Sequence, residues 1–144
     1  EMAAAPAMID LACELRPADC CLVPERRTEL TTEGGLDVIA AGEPLRAQCA
    51  RLTAAGVRVA LFVDPDPRQI DAAADCGAPV VELHTGEYAD SQGGRQAQEL
   101  ERLRAAAQHA SARRLEVHAG HGLNYRNVQP VAAIAQRRQR VGRQ

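Results

Sequence analysis

Lysine is missing altogether: all 17 basic residues of this 144-residue chain are arginine. No side chain can therefore form a Schiff base with a carbonyl substrate or with pyridoxal phosphate. Nor can a P-loop lysine reach a nucleotide phosphate. Lysine Schiff-base aldolases, transaminases and P-loop ATPases are excluded as self-contained readings. Arginine in place of lysine, with abundant alanine, is what genomic base composition would produce, and the exclusion holds all the same. A long apolar run is missing too; nothing approaches the ~20 residues that cross a bilayer. So is a strong charge of either sign: the net charge is −2, which gives no global electrostatic footprint for nucleic acid. The five cysteines, Cys13, Cys20, Cys21, Cys49 and Cys76, are odd in number and never spaced C-x-x-C. Neither a disulfide scaffold nor a zinc site follows that pattern, and free thiols in a reducing cytoplasm are expected. The chain also opens on Glu1 without a start methionine or a recognisable signal peptide.

What is present is enough for one domain with a real core, 15.4 kDa with 46% hydrophobic residues. Strand-like and helix-like segments alternate. Residues 6–16 read as a helix started by Pro6, 19–23 as a strand, and 24–36 as a polar stretch too rich in charge and glycine for a core element. A helix fits 43–55, with Leu45, Cys49 and Leu52 on one face and Gly56 as its stop. Residues 58–63 form a second strand. Asp66 caps a helix with Pro67 at its first position, ending near Gly77. Residues 79–84 form a third strand, 95–113 a long helix burying Leu100, Leu103, Ala107 and Ala110, 115–120 a fourth strand and 127–139 a last basic helix.

Strand followed by helix, four times over, predicts an α/β protein with a parallel sheet. Side-chain parity chooses between an open doubly wound sheet and a barrel. Val81 and Leu83 oppose Glu82 and His84; Leu115 and Val117 oppose Glu116 and His118; Val59, Leu61 and Val63 oppose Phe62 and Asp64. One apolar face and one that turns polar toward the strand ends suits a (β/α)₈ TIM barrel better than a sheet coated on both faces. Such a barrel takes about 250 residues. Residues 1–144 are therefore expected to be a partial TIM-barrel domain of about four to five βα units. Glu1 would lie at the end of a preceding strand, at least one strand would follow residue 144, and sheet edges would be open at both breaks.

In a barrel the functional groups gather where strands end. Those positions hold Glu1, Pro24, Glu25, Asp64, Glu82, His84, His118 and His121. Carboxylates and imidazoles on one rim are suited to proton transfer. His118-x-x-His121 beside Glu82-x-His84 also permits a metal-site reading, as in metal-dependent TIM-barrel hydrolases. No bridging carboxylate or further histidine completes it, and no metal is assigned. His109, in the long helix, is expected at the surface. Gly120 and Gly122 flank His121, so backbone there could approach and hold a phosphate; a plain glycine-rich turn is the bland alternative. The stretch 24–36, with Thr31, Thr32, Gly34 and Gly35, is either a lid or a solvated loop.

The segments CCLVPERRTELTTEGGLDV (20–38), VELHTGEYAD (81–90) and HAGHGLNYRNV (118–128) closely resemble the pyridoxine 5′-phosphate synthase family, in register from Glu1 to about Ala135. The resemblance implies a cofactor-independent (β/α)₈ barrel that oligomerises in the cytoplasm. It implies a vitamin B6 activity: condensation of 1-deoxy-D-xylulose 5-phosphate with 3-amino-2-oxopropyl phosphate, releasing phosphate and water. The partners implied are small phosphorylated substrates, with no nucleic acid and no membrane. By the same resemblance Glu1 is a general base, His121 a proton donor and Glu82 a stabiliser of the transition state. Gly122 is a backbone contact to the amino-ketone phosphate, and Thr31 a lid-loop contact to the deoxyxylulose phosphate. The amine that forms the imine belongs to the substrate, so the absence of lysine fits. Two departures follow. The family's first two strands, with further substrate-binding groups and another catalytic histidine, are absent here. The ending AIAQRRQRVGRQ does not resemble the family's last strand, which brings a Gly-His pair to the second phosphate. The 144-residue chain by itself is expected to be inactive. The competing readings are the metal-dependent hydrolase and a non-catalytic phosphate-binding module.

Overall fold

A computed structural model describes residues 1–139. The elements are β1 (Met2–Ala3), α1 (Pro6–Leu15), β2 (Asp19–Val23), a 3₁₀ turn (Arg27–Glu29), α2 (Val38–Ala54), β3 (Arg58–Val63), α3 (Pro67–Asp75), β4 (Val80–His84), α4 (Gly86–Asp90), α5 (Gly93–Ala112), β5 (Glu116–Gly120) and α6 (Val128–Gln139). The last five residues of the arginine-rich ending, 140–144, lie outside the described residues.

Local chemistry sets the helix boundaries. In α3, Asp66 Oδ1 accepts from Arg68 N at 2.9 Å and Pro67 takes the first position, an arrangement that satisfies one orphan donor and fixes φ in advance. Gly77, at φ +82, ends that segment in a conformation other residues resist. Helix α2 departs from expectation, since it begins at Val38 instead of residue 43. Its first turn is separated from the rest by a kink at Gly42 (φ 55, ψ −141), just before Pro44. The extra turn survives because two side chains satisfy its amides: Asp37 Oδ1 accepts from Ala40 N at 3.1 Å, and the buried Gln69 Oε1 from Val38 N at 2.9 Å. Helix α4 has no counterpart in the sequence reading, since five residues are too short to carry a period, whereas the two-residue stub β1 falls at the strand expected to end at Glu1.

All five strands are parallel and lie in the order β1-β2-β3-β4-β5. Helices α1, α2, α3, α5 and α6 pack as successive neighbours. A doubly wound sheet would reverse its strand order and carry helices on both faces. Here the core holds Leu22, Val59, Leu61, Val63, Val81 and Leu83 from one face of the sheet, while Ala60, Phe62 and Val80, of opposite parity, lie outside it. Burying each such Val or Leu against the helices contributes about 1.5–3 kcal/mol. Cys20 and Cys21 divide between the faces, Cys20 joining the core. A singly wound parallel sheet with helices along its convex side is a segment of a TIM barrel, and its concave face carries the polar residues. The edges are β1 and β5; beside β1, Met8, Leu11 and Leu15 of α1 are exposed. Among the described residues no helix is long and apolar enough to cross a membrane.

Candidate active site

The concave face is read rung by rung from the register. Phe62, Glu82 and His118 share one rung, and His84 lies beside Gly120 on a higher one. Asp64 and His121 follow directly beyond their strands. Met2 pairs with Leu22, so the parallel register continues back from Met2 to put Glu1 next to Cys21. Its charge is felt there, as one of the causes that raise the Cys21 thiol.

Glu82 sits in a fitted notch. A Cβ at Gly120 would come within 2.4 Å of Glu82 Oε1, so only glycine leaves room for the carboxylate in this position. On the other side the Cys21 thiol donates to Oε2 at 3.6 Å. Burial, reinforced by the neighbouring carboxylate, pushes that thiol up to about 12, so it remains a donor at neutral pH.

Beyond the strand ends three rings meet. His84 and Phe62 have centroids 4.8 Å apart, His84 and His121 4.9 Å apart at 88°, and Phe62 and His121 5.9 Å apart. His84 Nδ1 accepts from Gly86 N at 3.1 Å. Burial and the adjacent His121 hold His84 below the ordinary imidazole range, against the opposing pull of Asp64 and Glu33. His121 has φ +94, rare for a residue with a side chain. Its carbonyl is fixed by the fully buried Thr85, whose Oγ1 donates at 2.6 Å. Gly122 follows at φ +74, and a Cβ there would meet Ala89 Cβ at 2.7 Å.

The stretch 24–36 divides in two: residues 25–28 are exposed, while 31–36 are tied to the rim. Leu30 and Leu36 form an antiparallel bridge, and Leu36 N donates to Phe62 O at 2.8 Å. Gly35 N donates to Asp64 Oδ1 at 2.9 Å, and the Thr31 hydroxyl donates to the other carboxylate oxygen. Asp64 is buried, which raises its carboxyl above the usual range even though both bonds oppose this. Arg102 of α5 holds Glu33 at 2.8 Å from outside. Residues 31–36 thus form a strap pinned across the rim, and the hydroxyl of Thr31 is committed to Asp64. Pro24 and Glu25 enter the strap without joining the ring cluster; Glu25 N instead donates to Glu29 Oε2.

Two expectations need correction. His118 is not a rim residue: it lies within β5 on the Glu82 rung, and its Nε2 lies 2.9 Å from Glu116 Oε1, toward the strand's start. His118 and His121 therefore serve different surroundings, and among the described residues no group of three or more His, Cys, Asp or Glu side chains could hold a metal ion. His109 is half-buried, with Nε2 2.8 Å from Asp71 Oδ1. Sequence reasoning missed Cys21 and Thr85 as supports. The run Glu82-x-His84-Thr85 placed Thr85 at the site, but its bond to a residue 36 positions away leaves no local mark.

Helices along one side and acid and imidazole groups at the strand ends of the other define a barrel-type α/β protein with a candidate site on the C-terminal rim. The chain belongs to the family described as pyridoxal phosphate biosynthesis protein PdxJ, whose model matches residues 1–142. It is 59% identical over 134 residues to a pyridoxine 5′-phosphate synthase of Gluconobacter oxydans (strain 621H), a match covering 93% of this chain and 56% of that protein. It is likewise 59% identical over 136 residues to one of Thioalkalivibrio sulfidiphilus (strain HL-EbGR7), covering 93% and 55%. The chain thus spans about half the length of the curated relatives it matches. Among solved structures, a xylose isomerase domain protein from Planctomyces limnophilus superposes with a TM-score of 0.56 at 15% identity. That match covers 88% of this chain and 54% of that one and supports the fold alone.

Proposed function

We propose that this chain is the central part of a pyridoxine 5′-phosphate synthase, which joins 1-deoxy-D-xylulose 5-phosphate to 3-amino-2-oxopropyl phosphate and releases phosphate and water. The observation that carries the reading is the line of groups on the concave face: Glu1 beside Cys21, Glu82 in its notch, then His121 and Gly122 at the rim. In this reading Glu1 is the general base, Glu82 stabilises charge in the transition state and His121 donates a proton. The backbone at Gly122 receives one substrate phosphate. Thr31 meets the deoxyxylulose phosphate from the strap, sharing or exchanging its bond to Asp64. The amine that condenses is the substrate's own, so a site without lysine and without a cofactor suffices. A cytoplasmic homo-oligomer is the proposed parent, and the 144 residues alone are proposed not to turn over, because the relatives use nearly twice this length.

The test is Glu1→Gln in a complete synthase carrying this segment, assayed for pyridoxine 5′-phosphate. A loss of about 10²–10⁴-fold in kcat is expected for a removed general base; normal turnover would overturn the reading.

A further inference from the structure

We propose that His84 is a positioning residue for His121, joining the strap over residues 31–36 to the orientation of that ring. The role of His121 rests on the synthase reading, while the arrangement of the rings stands on geometry alone. His84 lies against two glycines, in space that a side chain at either would crowd. A Cβ at Gly86 would come within 2.5 Å of its Cε1, and one at Gly34, in the strap, within 3.2 Å of its Nε2. Both glycines are therefore shaped to the imidazole, one from α4 and one from the strap. The bond from Gly86 N occupies the Nδ1 lone pair, so the neutral ring carries its proton on Nε2, toward the strap.

His121 has the opposite character. Its main chain is fixed by Thr85, but among the described residues no side chain or backbone group hydrogen-bonds its ring, which is exposed. The ring's orientation is set by Phe62 and by the perpendicular contact with His84. Edge-to-face contact between aromatic rings favours such an arrangement. The charged or titratable groups that face His84 are Asp64 from the end of β3, Glu33 from the strap and His121 from beyond β5. A neutral His84 avoids two like charges in contact when His121 is protonated.

The test is imidazole and aromatic NMR on the chain itself, which needs no turnover. The wild-type chain should show an Nε2–H tautomer for His84 and a cross-relaxation signal between the His121 and Phe62 rings. His84→Ala should abolish that signal and broaden the His121 resonances. His84→Phe should keep the ring contact while Gly86 N–H, stripped of its acceptor, exchanges about fivefold faster, as the loss of one net hydrogen bond implies. Should His84→Ala fail to fold, His84→Asn decides: its amide can still accept from Gly86, so the turn survives and the His121–Phe62 signal should be lost. A His121–Phe62 signal unchanged in a folded Ala or Asn variant would overturn the proposal. Failure of the synthase reading would show separately, as full activity of Glu1→Gln, with the ring signals intact.

Discussion

The two ends of the concave face use the same residue types for opposite purposes. Toward the strands' N-terminal ends, Arg58 reaches across β4, with Nε 3.3 Å from Asp19 and Nη2 2.7 Å from Glu116, and Glu116 is also 2.9 Å from His118. Every member of that cluster has a partner of opposite or complementary charge, so it has little left to offer a ligand. Toward the C-terminal ends, Glu82 meets only a weakly donating thiol, His84 is kept neutral, and the ring of His121 has no partner among the described residues. Acid and imidazole groups are thus ion-paired at one end, while at the other Asp64 and His84 are held by the strap and by Gly86 and only Glu82 and His121 are left available. Availability, more than residue type, separates a binding rim from a structural floor.

The sharpest way to break that contrast is Glu82→Gln in a complete synthase. If Glu82 faces developing charge, kcat should fall about 10²–10³-fold, with little change in melting temperature because the amide is nearly the same size. Equal losses of activity and folding would make Glu82 a structural group like Glu116. Two glycine substitutions then separate the strap from the notch. A Cβ at Gly35 would lie 2.6 Å from both the backbone nitrogen and a carboxylate oxygen of Asp64, and backbone cannot yield. Gly35→Ala should destabilise the fold by about 1–3 kcal/mol in denaturant melts. Gly120→Ala meets only the far end of the Glu82 side chain, which can swing away. Its stability should change by less than about 1 kcal/mol, while activity falls on the order of 10-fold or more as the carboxylate is displaced. Equal melting points for the two variants would remove the distinction.

The sheet and its two faces were legible because strand parity is local: Val81 and Leu83 against Glu82 and His84 already tell core from rim. The boundaries of α3 were legible for the same reason, since Asp66, Pro67 and Gly77 act on their immediate neighbours. The long-range supports were not. Nothing near Val38 reveals that Gln69 caps its helix, so the first turn of α2 read as loop. Nothing near Thr31 reveals Asp64, so the strap read as a lid or a solvated segment. His118 and His121 look like a pair in sequence, and only β5's end between them sends one to Glu116 and the other to Phe62 and His84.

The smallest expected effect tests the floor. Arg58, Asp19, Glu116 and His118 have side chains 42–66% exposed, so their attractions are screened. Arg58→Ala should lower the melting temperature by no more than about 2 °C at low salt, less at high salt, and leave activity unchanged. Acid then distinguishes the two ends. The bonds from His118 and then Arg58 hold the Glu116 carboxyl below its ordinary 4.5. Its contribution is therefore present above that value and is lost as pH falls through the depressed one. His84 is held below its ordinary 6.5, first by burial. The native state prefers it neutral, so its contribution is present above 6.5 and is lost as pH falls toward the lowered value. Between pH 7 and 5 the rim should therefore loosen first, read as falling amide protection factors (exchange relative to the intrinsic rate at each pH) at Gly86 and in the strap, while the difference between wild type and Arg58→Ala holds. Loss of the Arg58 effect before the Gly86 amide is exposed would show that the floor, and not the rim, is the pH-sensitive end.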